Sequence, residues 1–374
     1  MGARGLPRAL PSAPAAALLL LLCLVVAPAA ARGHSREDDA PTGTGGGCNS
    51  GGGGTAPPRL WVFGDSYADT GNLGDLGREL THAWYDPYGD TFPGRPTGRF
   101  SDGRVLTDFV ASAMGMPTPV AYKLRRGAAQ GLLARGMNFA VGGAGVLDTG
   151  NFQRNISAQI DLFQAQAQRG APSSNRGCAG AGVALVVVSG NDYSYAADKD
   201  NGTSAAIAYI PTVVRQLREQ LRRLRDEAGM RRVVVTGLHP LGCTPLFTRP
   251  LNYSGCDPLA NAGAAQHNAA LRSVLAALDP ANRTFLLLDL NAPFAALVDA
   301  PPGGRFAEQR RPCCEALAAD GYCGQQDDDG KRMYTLCDDP AEHFYWDDVH
   351  PTQAAWAAVA EAFRPKIREF LLST

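Results

Sequence analysis

Short apolar runs alternating with helical stripes predict an α/β protein whose five-stranded parallel sheet is covered by helices on both faces. Three observations carry that expectation. Residues 60–63, 137–140, 184–189, 233–236 and 285–290 are short and nearly all apolar, as strands buried on both faces should be. Residues 156–168, 207–227 and 260–278 show helical spacing between them, and Trp356, Val359, Phe363, Ile367 and Phe370 mark an amphipathic last helix. Residues able to do chemistry cluster where these runs end, the place where open α/β sheets hold their ligands.

The first run leads into Gly64-Asp65-Ser66-Tyr67-Ala68-Asp69-Thr70-Gly71-Asn72. Gly64 permits a sharp turn that puts Ser66 at the strand's carboxyl end. Taken alone, Asp65 and Ser66 read equally well as a helix cap or as a nucleophile with its neighbour. A second stretch, Asp347-Asp348-Val349-His350-Pro351, decides between the two. A serine hydroxyl needs a base, and the base needs a carboxylate on its other ring nitrogen. Asp347, three residues before His350 in a turn closed by Pro351, can supply that carboxylate. Asp348 is the rival acid.

Two further run ends complete an acyl-transfer site. Asn138 to Gly145 runs into a glycine loop whose bare N–H groups can face an oxyanion, and Ser189-Gly190-Asn191-Asp192 ends an apolar run with a side-chain amide. Asp65 and Asp192 read as acids that bond backbone N–H groups to hold their turns. The lipase-type elbow Gly-x-Ser-x-Gly is absent, which places the nucleophile on the first strand.

These stretches together resemble the four motif blocks of the plant-type GDSL esterase/lipases, members of the SGNH hydrolase superfamily. Gly64-Asp65-Ser66 with Asp69-x-Gly71-Asn72 looks like the first block, and Asn138 to Gly145 like the second. Gly190-Asn191-Asp192 looks like the third and Asp347-x-x-His350-Pro351 like the last. Residues 92–104 and 237–243 match as well. The resemblance implies a three-layer α/β/α fold with flavodoxin-like strand order. It implies catalysis by Ser66, His350 and Asp347, with an oxyanion hole from Ser66 N–H, Gly143 N–H and the Asn191 amide; Gly142 and Gly145 are alternatives to Gly143. Two residues depart from the family's pattern: Tyr67 where Leu or Ile is usual, and His239 where Pro is more frequent. His239-Pro240 is thus a second His-Pro pair, without an acid three residues earlier.

The ends of the chain and its cysteines point outside the cytosol. Arg4 and Arg8, an apolar core over residues 15–26 and Ala29-Ala30-Ala31 read as a secretory signal peptide over residues 1–31. A Gly-rich flexible leader follows over 32–58, and a single hydrolase domain over 59–374. Removing Cys23 from nine cysteines leaves eight, an even number. Cys243 and Cys256 bracket a loop and should pair; Cys313, Cys314, Cys323 and Cys337 should close an insertion before the Asp-x-x-His turn. Asn155, Asn201, Asn252 and Asn282 are candidate glycosylation acceptors.

Composition excludes other classes. A formal net charge of −1 gives no field for a nucleic acid, and six scattered His show no metal-ligand spacing. No run after the signal peptide approaches the roughly 20 apolar residues of a membrane span. The sequence therefore predicts a secreted apoplastic or cell-wall glycoprotein that hydrolyses small-molecule, lipid or polysaccharide esters without cofactor or metal. An acyltransferase using the same acyl-enzyme and a catalytically silent extracellular binding protein are the alternatives. Acyl length and oligomeric state are not written in these residues.

Overall fold

The structure, a computed structural model, describes residues 58–150, 154–170, 182–200, 202–301 and 303–372. The expected signal peptide, residues 32–57 of the expected leader with Cys48, and Cys178 and Asn201 lie outside the described residues.

A parallel sheet forms the middle layer. Its strands are β1 (Leu60–Phe63), β2 (Val120–Ala121), β3 (Gly136–Asn138), β4 (Val183–Val186), β5 (Arg232–Gly237) and β6 (Phe285–Asp289). They lie in the order β2-β3-β1-β4-β5-β6, with Val62 opposite Asn138 on one side and Leu185 on the other. The sheet thus has six strands where five were expected. The addition, β2, is a two-residue edge strand between Pro119 and the turn at Tyr122, too short to leave a hydrophobic period in the sequence. Without it the remaining strands follow the flavodoxin-like order.

Helices α1 (Leu106–Ala113), α2 (Gln130–Leu133), α3 (Ile156–Gly170), α4 (Asn191–Asp200), α5 (Thr203–Asp226), α6 (Pro245–Thr248), α7 (Pro258–Leu278), α8 (Asn291–Val298) and α9 (Gln353–Leu372) surround it. Alternation along β4 divides the core. Val183 and Leu185 pack with residues of α1, α8 and α9, whereas Ala184 and Val186 pack with residues of α3, α5 and α7. On α9 the predicted stripe is buried, from Trp356 at 0% exposure to Phe370 at 7%. Each such side chain contributes about 2 kcal/mol on leaving water. α1, α4 and α8 were not read from the sequence, because each is short and α4 is mostly polar.

The insertion before α9 carries an antiparallel pair, β7 (Cys314–Ala316) and β8 (Tyr334–Leu336). Disulfides join Cys243 to Cys256, Cys313 to Cys337 and Cys314 to Cys323. The last two cross-links sit in a cluster with Tyr88, Phe100 and Trp346, so they brace one wall of the region described next.

Candidate active site

Ser66 sits in a tight turn after β1. Gly64 has φ 149°, and a Cβ there would lie 2.5 Å from the Val187 carbonyl oxygen, so only glycine fits. The Asp65 carboxylate then accepts Tyr67 N–H at 3.1 Å and Ser189 N–H at 2.6 Å, tying the turn after β1 to the end of β4. Burial pushes the Asp65 carboxyl up to about 6, against the pull of these donors.

His350 and Asp347 come from the turn that leads into α9. Asp347 Oδ1 accepts the Val349 and His350 N–H groups at 3.0 and 2.8 Å, and Trp346 N–H donates to the His350 carbonyl at 2.7 Å. This local folding brings the Asp347 oxygens to 2.8 Å from His350 Nδ1. On the far side of the ring, Nε2 lies 2.8 Å from Ser66 Oγ. Ser66, Asp347 and His350 are each nearly buried, at 6%, 5% and 7% exposure. Burial would raise the Asp347 carboxyl, but the facing imidazole, Val349 N–H and Tyr88 O–H hold it well below the usual carboxylate range.

Two neighbours of this chain of hydrogen bonds were not read from the sequence. Tyr88 O–H donates to Asp347 Oδ2 at 2.7 Å, and the Phe100 ring lies 4.8 Å from the His350 ring. Phe100 stands in the 92–104 stretch already noted, whereas nothing around Tyr88 marks it. Asp348 makes no hydrogen bond to His350; it lines the same cavity, with its carboxyl raised to about 6 by burial and by Asp347.

The glycine loop and Asn191 flank the serine. Asp69 accepts N–H groups from Gly71, Asn72, Leu73 and Gly142, so the Gly142 N–H is committed. Gly143, with φ 79°, donates its N–H to none of the described residues, and neither does Ser66. Asn191 Nδ2 spends one hydrogen on the Ala144 carbonyl at 2.9 Å, which leaves the other free. Asp192 accepts Val146 and Leu147 N–H at 2.9 and 2.8 Å and locks the same loop to α4. Gly145 does not line the cavity that Gly142, Gly143 and Asn191 share.

That cavity encloses about 690 Å³. From Ser66 it reaches past Tyr193 and Ala197 of α4 to Ile207 of α5 and Gly263 of α7; Leu76 and Leu80 line it too and are 60% and 68% exposed. Among the described residues no group of three His, Cys, Asp or Glu could hold a metal ion, and no helix is long and apolar enough to cross a membrane.

A serine, a histidine and an aspartate linked by hydrogen bonds at the carboxyl end of a parallel sheet form an arrangement chemically able to cleave esters. The chain belongs to the GDSL-like Lipase/Acylhydrolase family, whose model matches residues 60–363. It is similar to a GDSL esterase/lipase of Arabidopsis thaliana, with 38% identity over 84% of this chain and 88% of that protein. Its identity with acetylajmalan esterase of Rauvolfia serpentina is 30%, over 82% of this chain and 85% of that one. Among solved structures, phospholipase A1 of Streptomyces albidoflavus aligns over 84% of this chain and 99% of its own, with 14% identity and a TM-score of 0.40. The chain is a plant-type GDSL esterase/lipase, a carboxylic ester hydrolase.

Proposed function

We propose that this esterase works by two-step acyl transfer through Ser66, His350 and Asp347. The observation that carries the reading is the continuous hydrogen-bond chain from Asp347 through His350 to Ser66 Oγ, opening into the cavity. Ser66 Oγ attacks the ester carbonyl while His350 Nε2 takes its proton; Asp347 holds Nδ1–H and stabilises the imidazolium. The oxyanion lies against Ser66 N–H, Gly143 N–H and the spare Asn191 hydrogen. Losing one such donor commonly costs about 3 kcal/mol, on the order of a hundredfold in rate. The intermediate collapses and the alcohol leaves with the proton from His350; water, deprotonated by His350, then attacks the acyl-enzyme, and His350 returns that proton to Ser66 Oγ as the acid is freed. The acyl chain runs along the apolar arm between α4, α5 and α7, whose small and aliphatic lining suits hydrocarbon.

Residues 1–31 are a signal peptide in this reading, 32–58 a leader, and 59–374 the secreted hydrolase domain. Asn252 and Asn282 are exposed and suited to carry glycans, whereas the half-buried Asn155 uses its Oδ1 to cap α3 through Ala158 N–H at 3.0 Å.

The test is hydrolysis of p-nitrophenyl acetate, butyrate and octanoate by the secreted protein beside Ser66→Ala. Turnover that vanishes in Ser66→Ala is the expected result. Equal near-zero rates in two folded proteins would overturn it in favour of a silent binder, and turnover only with added acceptor alcohol would make the protein an acyltransferase.

A further inference from the structure

The two residues that depart from the family's pattern, Tyr67 and His239, touch each other. Tyr67 belongs to the turn after β1 and His239 to the segment after β5, 172 residues later, yet the Tyr67 hydroxyl and His239 Nε2 are 2.9 Å apart and the rings stack at 5.2 Å. The same hydroxyl is 2.7 Å from the carbonyl oxygen of Val349, the residue before His350. A carbonyl only accepts, so the hydroxyl's single hydrogen goes to Val349, and Nε2 must carry a hydrogen to donate to the tyrosine oxygen. His239 is therefore the Nε2–H tautomer. Its burial, at 1% exposure, pushes the imidazole down to about 3 and keeps it neutral.

The consequence falls on the base. Among the described residues, Tyr67 O–H is the one donor to the Val349 carbonyl. The Tyr67 ring also meets the His350 ring edge-on at 5.8 Å, on a ring that Phe100 covers at 4.8 Å. Tyr67 in turn rests on Trp356 of α9, and His239 on Phe294 of α8, so the pair is held by the body of the fold. A Leu or Ile at 67 would leave the Val349 carbonyl without this donor.

We infer that Tyr67, with its hydroxyl oriented by His239, is a positioning residue for the general base: it fixes the backbone and ring of His350 so that Nε2 stays aligned on Ser66. This rests on the reading of Ser66 and His350 given above. A neutral His239 suits the role, since a second imidazolium behind the base would oppose its protonation during the reaction.

The experiment combines steady-state hydrolysis of p-nitrophenyl butyrate with the rate of covalent labelling by a fluorophosphonate. Labelling of the wild type and none of Ser66→Ala tests the underlying reading by itself. Tyr67→Phe keeps the ring and loses the hydroxyl; kcat and the labelling rate should fall together by roughly tenfold, with KM little changed and the labelled fraction intact. His239→Leu should match it, His239→Gln, which keeps an N–H for the hydroxyl, should recover most of the loss, and Tyr67→Phe with His239→Leu should fall no further than either alone. Wild-type kcat and labelling rate in Tyr67→Phe would overturn the inference while leaving the esterase reading intact. So would a reduced labelled fraction that reacts at the normal rate, because the hydroxyl would then serve only folding.

Discussion

Asp347 does three things with two oxygens. Oδ1 closes its own turn through Val349 and His350 N–H, both oxygens lie 2.8 Å from His350 Nδ1, and Oδ2 takes the Tyr88 hydrogen. An amide cannot replace it, since its NH₂ would face either the Nδ1–H or the tyrosine O–H. Asp347→Asn should therefore lower kcat by about 10³-fold or more with KM little changed, read by burst-phase kinetics that separate acylation from binding. Asp348 has no comparable set of donors; spacing together with the family's pattern favours Asp347, and its Asx-type turn is a local device. Tyr88 could not be found that way. Its hydroxyl reaches Asp347 across 259 residues of sequence, and no local pattern encodes such a contact.

At the scale of elements, the site is assembled from strand ends that the sheet brings side by side. β1 delivers Ser66, the segment after β3 delivers Gly143, and the segment after β4 leads to Asn191 at the start of α4. The apolar arm depends on how closely α5 and α7 approach. Gly263 lines it, and a Cβ there would stand 3.2 Å from Ile207 Cγ1, already tight. Gly263→Leu should narrow the arm, cutting kcat/KM for p-nitrophenyl octanoate by about tenfold or more while sparing the acetate. A uniform loss for both esters would mean that the acyl chain lies elsewhere. The helices most relevant here were unevenly legible. α7 announces itself by periodicity, whereas α4, polar and only one residue beyond Gly190, looks like loop until its first turn is seen locking onto Val146 and Leu147.

For the whole molecule, burial sets the response to acid. His267 is fully buried and within hydrogen-bond reach of Tyr193, 2.6 Å from its Nδ1, and burial pushes its imidazole down to about 4. An unfolded His binds a proton near pH 6.5, so His267 stabilises the fold above that value and loses this contribution as pH falls toward about 4. Acidification from pH 7 to pH 5 should thus cost the wild type about 2 kcal/mol more than it costs His267→Gln, measured by urea unfolding at both pH values. Asp65 acts in the opposite sense. Its carboxyl, raised to about 6, makes its contribution fully present only below the unfolded value and erodes as pH rises through 6. An equal pH response in wild type and His267→Gln would show that the imidazole is charged inside the fold.

Amino-acid order was enough for the sheet's five main strands, for the placing of Asp347 three residues before His350, and for the pairing of Cys243 with Cys256. Those features are local: apolar runs, glycine turns, a three-residue spacing and a short loop. Folding alone decided the sixth strand at the edge, the pairing of Cys313 with Cys337 and Cys314 with Cys323, and the commitment of Gly142 N–H to Asp69, which leaves Gly143 free. It also decided that the two unusual residues, Tyr67 and His239, meet. Each of these is a contact between distant segments, and its free energy depends on which groups the packed chain brings within a few ångströms.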